Sequence, residues 1–337
     1  MVSKQTIIQN IPNVLKLINL KGFGKKKQGK VRDIYILDKR VFKSRSDSRA
    51  RSYLAIITTD RQSAFDKVLG HIPFKGQVLT SLSAFWFEKT KDIVQNHLIA
   101  VPDPNVLLVK ECKLIPIEMV VRGYITGVTD TSIWGSYEKG ERIIYGIKFP
   151  DELKKNQKLP KNVITPTTKA DFGAHDERLT EKEILDKKIV TPKIWKEMKK
   201  VALELFARGQ KIADKAEVIL VDTKYEFGLD EKGKVILIDE IHTPDSSRYW
   251  VKKTYQERFK KGVEPESYDK EPLRIWFKEH GFSGKGKIPK MPDEFIARIS
   301  MLYMGIYEKI TGKKFTPDLT TDVSQRIKRN LSKFAKP

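Results

Sequence analysis

Apolar positions along this chain change their period several times, and each change marks an element. Leu79, Leu82, Phe85 and Trp86 share one helical face, and from Pro192 to Glu217 the residues Ile194, Met198, Val201, Leu205 and Ile212 recur at helical spacing, predicting one long helix. IIQNIPNVLKLI near the N-terminus predicts a short amphipathic helix. Strand character belongs to VRDIYIL, YLAIITTD and VLLVKECKLIPIEMVVRGYI, with Pro116 placing a break inside the last run. The Gly/Lys-rich GFGKKKQGK predicts a loop entering the VRDIYIL strand, residues 38–51 a basic exposed excursion, and Lys148 to Lys161 a surface loop. After Trp250 the pattern is helical, ending in a basic tail, and no internal repeat occurs. Strands early, a mixed middle and a helical end predict an α+β fold, not regular βαβ alternation.

The segment from Val218 to Trp250, VILVDTKYEFGLDEKGKVILIDEIHTPDSSRYW, predicts a β-hairpin and the loop that leaves it. Alternation puts Asp222, Lys224 and Glu226 on one face of the first arm and Val221, Thr223, Tyr225 and Phe227 on the other. A four-residue DEKG turn would set Leu229 opposite Lys234, hence Lys224 opposite Asp239 with Glu226 diagonal to it. Two carboxylates so placed can share a hard cation such as Mg²⁺, with waters and phosphate completing the shell. Cross-strand salt bridges on a solvated face are the alternative. Against it, VILIDEI is apolar on both sides of Asp239, and a carboxylate near a core needs a partner.

Composition narrows the class. At 337 residues the chain can bury a sizeable core. Its one cysteine, Cys112, excludes an internal disulfide, and the lack of an apolar leader or long apolar run predicts a cytoplasmic chain outside the membrane. His71, His97, His175, His242 and His280 show no zinc spacing. Neither GxGxxG nor a P-loop occurs, since Gly22, Gly24 and Gly29 miss the spacing; any nucleotide is expected between sheets. The formal charge of +22, from 65 basic and 43 acidic residues, would attract polyanions. The excess is dispersed, however, and no basic stripe interleaved with aromatics appears, so small phosphorylated anions fit as well as nucleic acid.

Seven blocks in order, QGKVRDIY, TTDRQSAFD, IPFKGQVLTSLSAFWF, PIEMVVRGYITG, TPTTKADFGAHDE, VDTKYEFG and IDEIHTPDSSRYW, resemble the phosphoribosylaminoimidazole-succinocarboxamide synthase (SAICAR synthetase) family over most of residues 28–280. The resemblance implies an antiparallel β domain with flanking helices over 1–112, an ATP-grasp-like α+β domain over 113–265 that carries the hairpin, and a C-terminal helical segment over 266–337. A nucleotide would lie in the cleft between the first two. It further implies that ATP, with Mg²⁺, joins L-aspartate to the carboxylate of a carboxyaminoimidazole ribotide (CAIR) through an acyl phosphate. By similarity, Glu226 and Asp239 would hold the metal. Lys30, Arg32 and Lys169 would meet the ATP phosphates, and Lys113 and Glu118 the purine and ribose. Arg122, Asp245, Ser246 and Arg248 would bind the ribotide, and Lys224, Lys270 and Arg274 the aspartate. Asp222, beside Lys224, would take a proton from the attacking amine, and His175 and Asp176 would order a loop. The family often has a serine after the pair matching Thr126-Gly127, where this chain has Val128, so a phosphate-binding hydroxyl comes from Thr129 or Ser132 or is missing.

Two further readings stay open at this point. A small-molecule kinase could use the same carboxylates and lysines, and an RNA-binding protein is indicated by charge alone. The partners expected are the three small substrates, with no membrane and no specific nucleic acid, in a monomer or homodimer.

Overall fold

The computed structural model describes residues 2–37, 52–127, 132–169 and 176–334. The predicted excursion at 38–51, together with Val128, Thr129 and His175, lies outside them. In chain order, α1 (Lys4–Gln9) precedes β1 (Gly24–Gln28), β2 (Arg32–Leu37), β3 (Tyr53–Thr58), the hairpin β4 (Arg61–Ala64) and β5 (Lys67–His71), α2 (Lys75–Thr90), β6 (Leu98–Asp103) and β7 (Val106–Lys110). Then come β8 (Lys113–Ile125), α3 (Ile133–Glu138), β9 (Ile143–Ile144), β10 (Ile147–Lys148), β11 (Gln157–Ile164), β12 (Thr167–Thr168), α4 (Glu181–Asp186) and α5 (Pro192–Lys215). The rest comprises β13 (Val218–Leu229), β14 (Val235–Ile238), β15 (Ser247–Val251), α6 (Lys252–Lys260), α7 (Glu271–Glu279), α8 (Asp293–Thr311) and α9 (Val323–Ser332).

Two antiparallel sheets organise the molecule. One has the order β1-β2-β3-β7-β6; the other runs β11-β8-β13-β14, with β12 on β8 and β15 on β13. The largest apolar cluster joins them. It takes Ile56 from β3, Val78, Leu82 and Trp86 from α2, Met119 and Val121 from β8, Leu205 and Phe206 from α5, and Ile299 and Tyr303 from α8. On the far face of the first sheet, Tyr35, Ala55 and Leu108 pack with Ile327 and Leu331 of α9. The α+β expectation holds, as does the long helix, α5, whose N-cap Thr191 accepts from the Ile194 N–H before Pro192 opens the first turn.

Several local expectations are corrected. The N-terminal helix is only α1 and a single 3₁₀ turn at Ile11–Asn13, because Pro12 supplies no N–H to carry it on. GKKKQ is a strand and not a loop. It pairs with β2 at the edge of its sheet, where lysines facing solvent leave no apolar alternation to read. Pro116 does not end its strand. The break falls at residues 111–112, and Pro116 sits inside β8 where the pairing to β13 shifts register, a bulge that needs no ladder N–H from it. The last third of the expected 148–161 loop, from Gln157 on, belongs to β11, an edge strand with its own register shift around Pro160.

The hairpin is real, but its register differs by one residue. Leu229 faces Val235 and Glu226 faces Ile238. The connection is DEKGK, in which Asp230 and Lys234 flank a three-residue loop and the Asp230 N–H donates to the Lys234 carbonyl at 3.0 Å. The Asp230 carboxylate accepts from the N–H groups of Lys232 and Lys234 at 2.8 and 2.9 Å, and Gly233 takes φ +72°, the left-handed position of a bulged three-residue loop. Lys224 therefore has no β14 partner. Asp239 leaves the ladder at φ +69°, a conformation that Asp tolerates better than most residues.

Candidate functional site

The site grows from a gap along one edge of β13. On its other edge the pairing with β8 is long, with Asp222 opposite Arg122, Lys224 opposite Val120 and Glu226 opposite Glu118. On the gapped edge, β15 covers the strand up to Thr223 and β14 covers it from Glu226 onward. The segment 239–246 bridges that gap, and the Ser246 carbonyl accepts from the Lys224 N–H at 3.1 Å. Two charged clusters form at its two ends.

The first cluster is rich in acids. Arg32, from β2 of the other sheet, forks onto both oxygens of Asp239 at 2.7 and 2.9 Å and reaches Glu240 at 3.2 Å. Glu226 accepts from Lys169 and, at 3.2 Å, from Lys224, which also donates to Glu118. Thr243 Oγ1 donates to Glu240 at 2.7 Å. Burial would raise the Asp239 carboxyl, but Arg32, Lys169 and Lys224 outweigh it and hold the group down at about 2. Burial lifts Glu118 despite Lys224, and it lifts Glu240 despite Arg32. Lys224 stays above its ordinary value although burial opposes its charge, because Glu226, Glu118 and Asp239 surround it.

The second cluster is rich in bases. Asp222 Oδ2 accepts from Arg122, at 3.2 Å, and from Arg248. Arg122 also donates through Nε to Thr165 Oγ1 at 2.8 Å. Gly127, at φ +101°, closes on them; a Cβ there would stand 2.6 Å from Ser132 Cβ and 3.4 Å from Arg248 Nη2. Ser132 is buried as the N-cap of α3, its hydroxyl accepting from the Gly135 N–H at 3.1 Å. Asp245 accepts from Lys75 at 2.8 Å, Lys270 at 3.1 Å and the Tyr303 hydroxyl at 2.7 Å. Burial pushes the Asp269 carboxyl up to about 7, and burial with Lys75 and Arg274 nearby pushes the Lys270 ammonium down to about 8 despite Asp245.

Of the residues picked from sequence, the structure gathers Arg32, Glu118, Lys169, Lys224, Glu226 and Asp239 into the first cluster. Arg122, Ser132, Asp222 and Arg248 gather in the second, with Asp245 and Lys270 paired beside them. Ser246 lies on the bridging loop, its hydroxyl 3.2 Å from Thr243 Oγ1. Arg274 pairs with Glu271 at 3.1 Å, one turn along α7 from Lys270. Lys30 is not in the acidic cluster: its Nζ pairs with Asp66 at 2.5 Å in the β4–β5 turn. Lys113 is exposed at the start of β8, five residues from Glu118, about 16 Å along an extended strand. Sequence reasoning missed Glu240, Asp269, Tyr303 and above all Lys75. The last stands in IPFKGQ, where a lysine opening a helix looks like an ordinary solvated charge. A surface cavity of about 910 Å³, lined by Phe295, Met301 and Leu302 of α8, has neither cluster in its lining. Among the described residues no helix is long and apolar enough to cross a membrane.

Comparison with known proteins agrees with this picture. Residues 25–291 match the family model described as SAICAR synthetase. A phosphoribosylaminoimidazole-succinocarboxamide synthase of Legionella pneumophila is 50% identical over 314 residues, covering 93% of this chain and 96% of the relative. A chloroplastic synthase of Arabidopsis thaliana is 46% identical over 333 residues, covering 97% of this chain and 77% of the relative. Among solved structures, the Saccharomyces cerevisiae SAICAR synthase complexed with SAICAR is 34% identical with a TM-score of 0.76, over 90% of this chain and all of that one. With the model spanning most of its length and such relatives covering nearly all of it, the chain belongs to the SAICAR synthetase family.

Proposed function

We infer that the protein joins L-aspartate to the carboxylate of CAIR at the expense of ATP, releasing SAICAR, ADP and phosphate. The observation that carries the reading is the meeting of Arg122, Arg248 and Asp222 with Gly127 and Ser132 at one end of the β8–β13 pair, four residues along the strand from Glu226 and Glu118. An anionic ribotide and a metal–nucleotide are thereby brought side by side. A carboxylate is a poor electrophile, so the γ-phosphoryl group first passes to a carboxylate oxygen of CAIR. The aspartate amine then attacks the acyl carbon; the C–N bond forms, the bond from carbon to the phosphate oxygen breaks, phosphate leaves and the amine loses a proton. Most of the acceleration comes from positioning and from neutralising charge.

The roles proposed for the side chains are those the family resemblance implies. Arg32 and Lys169, and Lys30 from the β1–β2 turn, neutralise the ATP phosphates; Glu118 and Lys113 line the purine and ribose side. Arg122, Arg248 and Ser132 hold the ribotide, with Asp245 and Ser246 in the loop behind them. Lys224, Lys270 and Arg274 take the aspartate carboxylates. Both arginines meet Oδ2 of Asp222, which leaves Oδ1 for the amine proton. Glu226 and Asp239 suit Mg²⁺ as hard oxygen donors. Four acids, Glu118, Glu226, Asp239 and Glu240, face three cations, Arg32, Lys169 and Lys224, so one negative charge is left over to favour a cation. Mg²⁺ beside a nucleotide would ordinarily need one or two carboxylates, with phosphate oxygens and waters completing its shell. When bound, Mg²⁺ would supply charge neutralisation at those phosphates. The setting proposed is the cytoplasm, with the enzyme acting as a monomer or homodimer.

The test is ADP release with CAIR present, with and without L-aspartate. Turnover that requires aspartate and yields the succinocarboxamide is the expected result. ADP formed at full rate without aspartate would instead make the protein a kinase.

A further inference from the structure

Asp245 is a single carboxylate shared by two ammonium groups that are not equivalent. Lys75 lies 2.8 Å away, has no exposed surface and also donates to the Arg61 carbonyl at 3.1 Å. Lys270 lies 3.1 Å from the same oxygen, is 12% exposed and stands at the mouth of α7. Lys75 is also anchored through its backbone. Asp60 Oδ1 accepts from the Gly76 N–H at 2.9 Å, and Gly76 fits so closely that a Cβ would lie 2.3 Å from the Thr58 carbonyl oxygen and 2.4 Å from Asn105 Nδ2. Tyr303 holds the other oxygen of Asp245. A buried carboxylate needs a cation, and Lys75 meets that need permanently. The second ammonium is then surplus.

We propose that Lys75 is the fixed counter-ion of Asp245 and a positioning residue for aspartate recognition: by neutralising that acid it frees Lys270 to bind a carboxylate of the incoming aspartate. This rests on the reading of Lys270 as an aspartate-binding residue. In Lys75→Met, Asp245 keeps Lys270 as its only ammonium, so the substrate must compete for it. KM for aspartate rises about tenfold, roughly 1.4 kcal/mol, while KM for ATP stays within about twofold. The charged groups facing Lys270 are Asp245, Lys75 and Arg274. With Lys75 gone, the alkaline limb of the aspartate KM profile moves to higher pH, a displacement that packing damage alone does not produce.

Two further measurements keep the outcomes apart. If Lys270→Met leaves the aspartate KM unchanged, Lys270 does not bind aspartate and the underlying reading falls. If Lys270→Met raises that KM but Lys75→Met moves neither the KM nor the pH limb, only the counter-ion role is overturned. In the unaltered enzyme, amine acetylation followed by peptide mass spectrometry should modify Lys270, with protection by aspartate in the presence of CAIR and ADP, and should leave Lys75 untouched. Equal labelling of the two lysines would overturn the distinction between fixed and free, even where the Lys75 variant does not fold.

Discussion

The two ends of the β8–β13 pair are built from similar side chains with opposite balance. At one end, four carboxylates meet three cations; at the other, Arg122, Arg248, Lys75, Lys270 and Arg274 meet Asp222, Asp245, Asp269 and Glu271. The first imbalance suits a divalent cation arriving with a nucleotide, and the second suits a phosphorylated, carboxylated imidazole and a dicarboxylic amino acid. Lys224 stands between them, reaching Glu118 and Glu226 from a strand position one step beyond Asp222 and Thr223. In both regions the buried charges are paired, except Asp269, which among the described residues accepts only from the Tyr249 and Glu271 N–H groups; pairing lowers the cost of keeping a charge out of water before substrates arrive. The sign left over at each end is thus a guide to the charge of the ligand proposed for it, even where most groups have a partner.

Breaking the acidic end should have the largest effect. Asp239→Asn removes the charge with little change of shape, and kcat is expected to fall on the order of 10²–10³-fold while far-ultraviolet circular dichroism stays unchanged. Retained activity at ordinary Mg²⁺ would remove Asp239 from the metal site. At the basic end, Arg248→Ala should raise the ribotide KM roughly 30-fold, about 2 kcal/mol, with a much smaller change for ATP. Equal changes for both substrates would dissolve the separation of the two ends. A pH series sharpens it further. Lys270 must be charged to hold a carboxylate, and burial has lowered it to about 8, so the aspartate KM should climb towards tenfold per unit above that pH, while the ATP KM does not share this inflection. The smallest effect is expected at the rim, where Lys30 and Asp66 are half-exposed and exposed. Lys30→Met should cost less than about 1 kcal/mol in thermal unfolding yet weaken ATP binding; a nucleotide KM that does not move would leave Lys30 as a surface ion pair.

Most of the elements, and the hairpin around which the charged clusters gather, were legible in the sequence, because both depend on local patterns: period two in β2, β3 and β13, period 3.6 in α2 and α5, and carboxylates out of place among apolar neighbours. What stayed hidden is long-range pairing. Arg32 and Asp239 are 207 residues apart, and Lys75 and Asp245 are 170 apart. Nothing in the surroundings of either lysine or arginine distinguishes it from a solvated one. The one-residue error in the hairpin had a different origin. Whether DEKG or DEKGK forms the turn depends on Gly233 adopting a left-handed conformation and on the Asp230 carboxylate collecting two N–H groups. A slip of one residue inverts every side chain across a strand, so the geometry that singles out Glu226 and Asp239 in the sequence is not the one the structure shows. Asp239 reaches the cluster because its backbone turns out of the ladder, not because it lies diagonal to Glu226.

That turn limits how the centre could be re-engineered. At position 239 the main chain selects the side chain before the chemistry does, since a left-handed residue is best filled by Asn, Asp or Gly. Lengthening the carboxylate there to Glu would alter backbone preference and ligand reach together, and the result would be hard to interpret. Position 226 lies on regular strand and carries no such restriction. Variants that probe the proposed cation site for altered preference should therefore change residue 226 and leave 239 unchanged.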